Sequence, residues 1–145
     1  MGIMQFSAQA IPEVISFISE HYKGGSVIDY GCGTGRYTNC FPASKYVGID
    51  GSPENIAYCQ KTWPDRTWIL ADLEKWTPNR TIPFEYLFSS VVFDQVKNLP
   101  KDWAKTYILI EPKKYEDIYK PQINIPLDRS NDRGTRMMIC KKFSD

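Results

Sequence analysis

The sequence predicts an α/β fold: a doubly wound, mainly parallel sheet with a terminal antiparallel strand and a reduced C-terminal part. Three observations predict it. Short apolar runs alternate with helical patterns along most of the 145 residues, which argues for parallel strands joined by crossover helices. The residues least suited to a core, a glycine-rich loop and single acids, fall directly after those runs. The last stretch reads as two strands around a polar turn, which adds an antiparallel edge.

The elements follow in order. From Ala10 to Tyr22, Ile11, Val14, Ile15 and Ile18 share one face at helical spacing, and Gly24-Gly25 ends the pattern. Ser26 to Tyr30 forms the first strand and runs into Gly31-Cys32-Gly33-Thr34-Gly35; a short helix from Arg36 stops by Pro42. Lys45 to Ile49 is the second strand, ending at Asp50. Ser52 caps the next helix and Pro53 takes its first position, where a missing N–H costs nothing; that helix runs to about Lys61. Strands follow at Thr67 to Leu70, Phe84 to Ser89 and Thr106 to Ile110, with a short helix at Lys113 to Lys120. Asn124 to Asp128 and Thr135 to Phe143 pair as a hairpin around Ser130-Asn131-Asp132-Arg133-Gly134.

Length and composition fit one domain spanning 1–145. The chain carries 18 Lys and Arg against 17 Asp and Glu, so no global field drives it onto nucleic acid or membrane. The C-terminal half tilts basic, which leaves nucleic acid as a weakly supported partner. Cys32, Cys40, Cys59 and Cys140 form no C-x-x-C pair and no iron–sulfur spacing, so radical chemistry on such a cluster is excluded and no metal site is expected. Scattered single thiols without a leader pattern or an apolar span point to a cytoplasmic protein away from membranes.

The chemistry lies at the strand ends, where ligands bind in open α/β sheets. Glycines let the backbone turn tightly and let a ligand lie directly on it. A dinucleotide fingerprint, G-x-G-x-x-G, needs a small third residue; counted from Gly31 that position is Arg36, and the third glycine comes one place early, at Gly35. Asp29, two residues before the first glycine, repels a pyrophosphate and attracts an ammonium group. Asp50 ends the second strand, 21 residues after Asp29, where a carboxylate accepts ribose hydroxyls. Asp72, after the third strand, suits the exocyclic amine of adenine, with the Leu73 amide beside it. Ammonium, ribose and adenine together describe S-adenosylmethionine (SAM).

The stretch VIDYGCGTGR…YVGID…ILADLEKW…FEYLFSSVVFDQV resembles the small class I SAM-dependent methyltransferases (type 11/25-like), well over about residues 25–98 and weakly beyond. The resemblance implies a Rossmann-like domain and methyl transfer from SAM to an acceptor that the sequence does not name. It implies that Asp29, Gly31, Cys32, Gly33 and Gly35 cradle the methionine half. Asp50 and Gly51 would hold the ribose, Asp72 and Leu73 would flank adenine, and Phe88 and Ser89 would line the methyl side. Val92, Phe93, Asp94 and Gln95 would face the acceptor.

Departures from the family matter for catalysis. Asp94-Gln95 stands where many relatives carry a histidine pair, and His21, the single histidine, lies at a helix end. Histidine-based proton abstraction is therefore not expected; a base, if one is used, is Asp94 or Glu111. Methyl transfer can also draw its rate from alignment alone. No Asn/Asp-Pro-Pro-Tyr segment follows the fourth strand, which disfavours amino methylation of nucleobases or glutamine. Little chain remains for a lid, so a large substrate, a partner protein or a second copy of the chain is expected to complete the pocket. The alternatives are a SAM-binding subunit without turnover and, distantly, a nicotinamide-dependent oxidoreductase.

Overall fold

The computed structural model describes residues 10–127 and 134–142. The predicted turn at Ser130 to Arg133, with Asp128 and Phe143, lies outside the described residues. Helix α1 spans Pro12–His21 and strand β1 spans Val27–Tyr30. Strand β2 (Tyr46–Asp50), helix α2 (Pro53–Thr62) and strand β3 (Thr67–Leu70) follow. Then come β4 (Phe84–Ser90), β5 (Ala104–Pro112), the one-turn helix α3 (Glu116–Tyr119), β6 (Ile123–Pro126) and β7 (Thr135–Lys141).

These strands form one sheet in the order β3-β2-β1-β4-β5-β7-β6. Pairing is parallel from β3 to β5 and antiparallel where β7 meets β5 and β6, as the sequence predicts. The order reverses at β1, which pairs with both β2 and β4. That reversal opens a crevice beyond the carboxyl ends of β1 and β4, the position at which such sheets take ligands.

Helices cover one face well. Val14, Phe17 and Ile18 of α1, with Ile56 and Cys59 of α2, bury against Val27, Tyr46, Tyr86, Phe88, Ile108 and Ile139. Ser52 caps α2 as expected: its hydroxyl accepts the Asn55 amide at 3.2 Å. Removing such a cap costs about 1 kcal/mol.

On the second face, loops stand where crossover helices were expected. Residues 71–83 and 91–103 carry no α-helix, only short turns and a 3-10 turn at Phe93–Gln95. Pro78, Pro83 and Pro100 interrupt helical hydrogen bonding in both segments. Aromatic rings supply the missing cover: Trp76, Phe93, Trp103, Tyr115 and Tyr119 pack on Ile28, Tyr30, Leu87 and Tyr107. Side chains then knit the loops together. The Glu74 carboxylate accepts the amides of Lys97 at 2.7 Å and Asn98 at 3.1 Å.

The helix expected from Arg36 to Pro42 is a single 3-10 turn, Thr38–Cys40; a second 3-10 turn, Ala43–Lys45, follows Pro42. Likewise, Lys113–Tyr115 is 3-10 before α3 begins.

Candidate functional site

The loop after β1 sits at the sheet's reversal. Gly31 and Gly33 both take left-handed backbone angles, φ +74° and +57°, that side chains with a Cβ adopt at a cost. They differ in surroundings. A Cβ on Gly31 would lie 2.6 Å from Val92 Cγ1, so Val92 from the turn after β4 packs directly on that glycine. A Cβ on Gly33 would meet nothing within 4 Å. Gly33 is thus bare backbone facing open space, which is what a ligand lying on the loop requires.

Two hollows meet along this loop. The larger, about 440 Å³, is lined by Gly31, Gly33, Asp50, Gly51, Asp72, Leu73 and, opposite them, Ser90 and Val91. The smaller, about 100 Å³, is lined by Asp29, Cys32, Arg36, Tyr37 and Phe88 together with the same Gly31, Gly33 and Ser90. The sequence-predicted residues Asp29, Gly31, Cys32, Gly33, Asp50, Gly51, Asp72 and Leu73 therefore gather along one rim. Arg36 joins them, a residue that sequence reasoning used only to argue against a pyrophosphate.

Asp29 is 4% exposed, and Tyr46 donates a hydroxyl hydrogen bond to it at 2.5 Å. Burial pushes its carboxyl up to about 7, against the opposing pull of that hydrogen bond. Asp50 is more heavily committed than the sequence suggests. Its Oδ1 accepts the Gly33 amide at 3.1 Å; its Oδ2 accepts the Ser52 amide and the Asn55 side-chain amide, each at 3.1 Å. A carboxylate has about four acceptor directions, so three are taken. One acceptor direction is left, on the side that lines the larger hollow. Asp72 uses Oδ1 to accept the Glu74 amide at 2.9 Å and is exposed at the rim.

Two expected residues, Gly35 of the cradle and Ser89 of the methyl side, line neither hollow. A Cβ on Gly35 would lie 2.6 Å from the Trp63 ring, so this glycine lets an indole pack against the loop. Ser89 is 0% exposed and donates its hydroxyl to Glu111 Oε2 at 2.5 Å. Its neighbour Ser90 lines the hollows, because successive strand residues point to opposite faces.

Neither candidate base lies free in the larger hollow. Glu111 is 0% exposed and closed in by Ser89 and by the amides of Val92 and Phe93. Burial raises its carboxyl to about 7, partly offset by those hydrogen bonds. Asp94 pairs with Lys114 at 2.8 Å and accepts the Tyr115 hydroxyl at 2.7 Å. It lines a third hollow of about 230 Å³ with Val91, Pro112, Lys113, Lys114 and Thr135. Val91 lines this hollow and the 440 Å³ one alike, so the two adjoin at that residue.

Val91 is also the strained point of the site: a β-branched residue with φ +56°, 45% exposed. Such a conformation costs roughly 1–3 kcal/mol and persists where its surroundings over-determine it. Trp68 packs in the core and Trp63, Trp76 and Trp103 pack against it, and none of them lines any of these three hollows. Among the described residues, no group of three or more His, Cys, Asp or Glu could hold a metal ion, and no helix is long and apolar enough to cross a membrane.

Comparisons with known proteins bear on the family and the fold. A family model described as a methyltransferase domain matches residues 28–113. A trans-aconitate 2-methyltransferase of Klebsiella pneumoniae (strain 342) is 30% identical over 94 residues, which are 61% of this chain and 37% of that protein. The chain thus spans little more than a third of that relative. Two solved structures share the fold. A TehB-like SAM-dependent methyltransferase from Corynebacterium glutamicum gives a TM-score of 0.67 at 15% identity, covering 90% of this chain and 87% of that one. TehB from Haemophilus influenzae gives 0.66 at 14% identity, covering 93% and 63%. A family match over more than half of the chain, on a sheet of the same kind, decides the relationship: this chain belongs to the methyltransferase domain family, the class I SAM-dependent methyltransferases.

Proposed function

We propose that the chain transfers the methyl group of SAM to a small carboxylate acceptor that enters over Val91. One observation carries this reading. A bare, open glycine backbone at Gly33 runs between an acid-and-base pair, Asp29 and Arg36, and a second group of acids, Asp50 and Asp72. That order matches an amino acid joined to a nucleoside. Asp29 faces the ammonium and Arg36 the carboxylate of the methionine half. Asp50 takes the ribose, and Asp72 with the Leu73 amide takes adenine. Ser90, rather than Ser89, borders the methyl.

The acceptor class rests on two supports. Lys113 and Lys114 line the hollow that adjoins the cleft, and Lys114 is shared with Asp94. A trans-aconitate methyltransferase is among the relatives, and its named substrate is a carboxylate. The state of the candidate bases fits as well. With Asp94 paired and Glu111 sealed, a nucleophile that arrives already ionised needs neither. When bound, SAM supplies an electrophilic methyl: the carboxylate oxygen forms a bond to that carbon as the carbon–sulfur bond breaks, its electron pair stays on sulfur, and no proton moves. This chain's contribution is to align the two reactants and shield them, which can supply about 7–11 kcal/mol of barrier lowering in well-oriented systems.

Tritiated methyl SAM, incubated with the protein and a panel of di- and tricarboxylates, phenols and amines, tests the proposal. Base-labile radioactive ester from a carboxylate supports it. Labelling confined to amines or phenols overturns the acceptor class, and no transfer with SAM still bound favours a SAM-binding subunit instead.

A further inference from the structure

Glu111 closes β5 beneath the cleft, and the reading above gives it no chemical role. Its side chain is nevertheless held by three donors. Oε2 accepts the Ser89 hydroxyl at 2.5 Å and the Val92 amide at 2.9 Å; Oε1 accepts the amides of Val92 and Phe93, both at 3.2 Å. Two donors come from the turn after β4, one from the end of β4 itself. Burying an acid at 0% exposure is costly unless hydrogen bonds satisfy it, and an apolar residue would cost less there. The site needs another reason for a carboxylate.

The reason lies in what the bonded turn touches. Val91 holds φ +56° while its amide bonds the Ile110 carbonyl at 2.8 Å, next to Glu111 in β5. Val92 follows, its amide on Glu111 and its Cγ atoms in the space where Gly31 would carry a Cβ. Val91 and Val92 both line the larger hollow, as does Gly31. The path is therefore short: carboxylate, Val92 amide, Val92 side chain, glycine loop. A strained turn with no helix behind it is held from below by one acid.

We infer that Glu111 is a positioning residue: its carboxylate fixes the turn Val91-Val92-Phe93, which sets the acceptor side of the cleft and props the SAM-binding loop at Gly31. The inference rests on the proposed SAM-binding reading of this cleft. It goes beyond that reading by assigning the residue that shapes it.

Gln is the informative replacement. Its carbonyl can accept the two amides and its NH2 can donate to the Ser89 oxygen, so E111Q keeps the fastening without the charge. E111A leaves both amides without it. Wild type, E111Q and E111A are compared in saturating kcat for methyl transfer and in SAM Kd, on protein checked by circular dichroism. Loss of two positioning bonds predicts that E111A loses at least roughly tenfold in kcat and several-fold in SAM affinity, with E111Q recovering most of both. A variant that merely lowers Tm, with kcat and Kd unchanged in the folded protein, overturns the inference. Should E111A not fold, amide hydrogen exchange on the wild-type protein replaces it. Val92 and Phe93 amides protected to the level of the β5 amides support the fastening; exchange at the rate of an exposed loop overturns it. If wild type itself shows no SAM binding, the proposed function fails, and the exchange result still judges the turn.

Discussion

Gly33→Ala separates the site from the fold more cleanly than any other single change. Gly33 has φ +57°, and its Cβ position is open for 4 Å. Alanine there pays only for the left-handed backbone, about 1–2 kcal/mol. In a domain of this size that lowers Tm by roughly 3–6 °C. The Gly33 amide keeps its bond to Asp50, and no neighbour has to move. The new methyl group, however, stands where the ligand would lie. A ligand at 100 times its Kd adds about 2.7 kcal/mol to stability. Thermal melts with and without S-adenosylhomocysteine should show that gain in wild type and its loss in Gly33→Ala. Gly31→Ala is the control: its Cβ would lie 2.6 Å and 2.7 Å from the two Val92 Cγ atoms, so it should cost clearly more in apo stability. A Gly33→Ala protein that keeps the full ligand shift would refute the claim that SAM lies on this loop.

Three further outcomes follow from the same geometry. SAM affinity should fall as pH drops below about 7, because burial raises the Asp29 carboxyl and its neutral form cannot pair with the ammonium; Asp29→Asn should weaken binding and flatten that profile in titration calorimetry. Folding stability should show the opposite trend from Glu111. Its folded-state carboxyl is raised from 4.5 to about 7, so its contribution is complete below 4.5 and declines as pH rises through 7. Urea melts between pH 4.5 and 8 should show wild type losing on the order of 3 kcal/mol more than E111Q. Finally, Lys113→Ala should raise the acceptor KM for carboxylates several-fold with SAM Kd unchanged, measured in steady-state methyl transfer.

Much of this molecule was legible in its sequence because the signals are local. Ile11, Val14, Ile15 and Ile18 announce α1 by spacing, and Ser52-Pro53 announces the start of α2. Asp29, Asp50 and Asp72 stand out as charges directly after apolar runs, and the structure brings them to one rim with Gly31 and Gly33. What was hidden depends on partners distant in the chain. Nothing local distinguishes Gly33, open to a ligand, from Gly35, packed on Trp63. The choice between Ser89 and Ser90 turns on strand phase, where one residue exchanges the two faces. Glu111 reads as the end of a strand before Pro112; only the fold places the Val92 and Phe93 amides around it. The loop-covered face of the sheet was missed because aromatic side chains, rather than helical periodicity, close it.

The structure of the protein bound to S-adenosylhomocysteine tests the central claim most directly. The account predicts a ribose hydroxyl within about 3 Å of Asp50, the amino group on the Asp29 side of Gly31-Gly33, and adenine beside Leu73. A complex with the nucleoside bound away from these residues would contradict it.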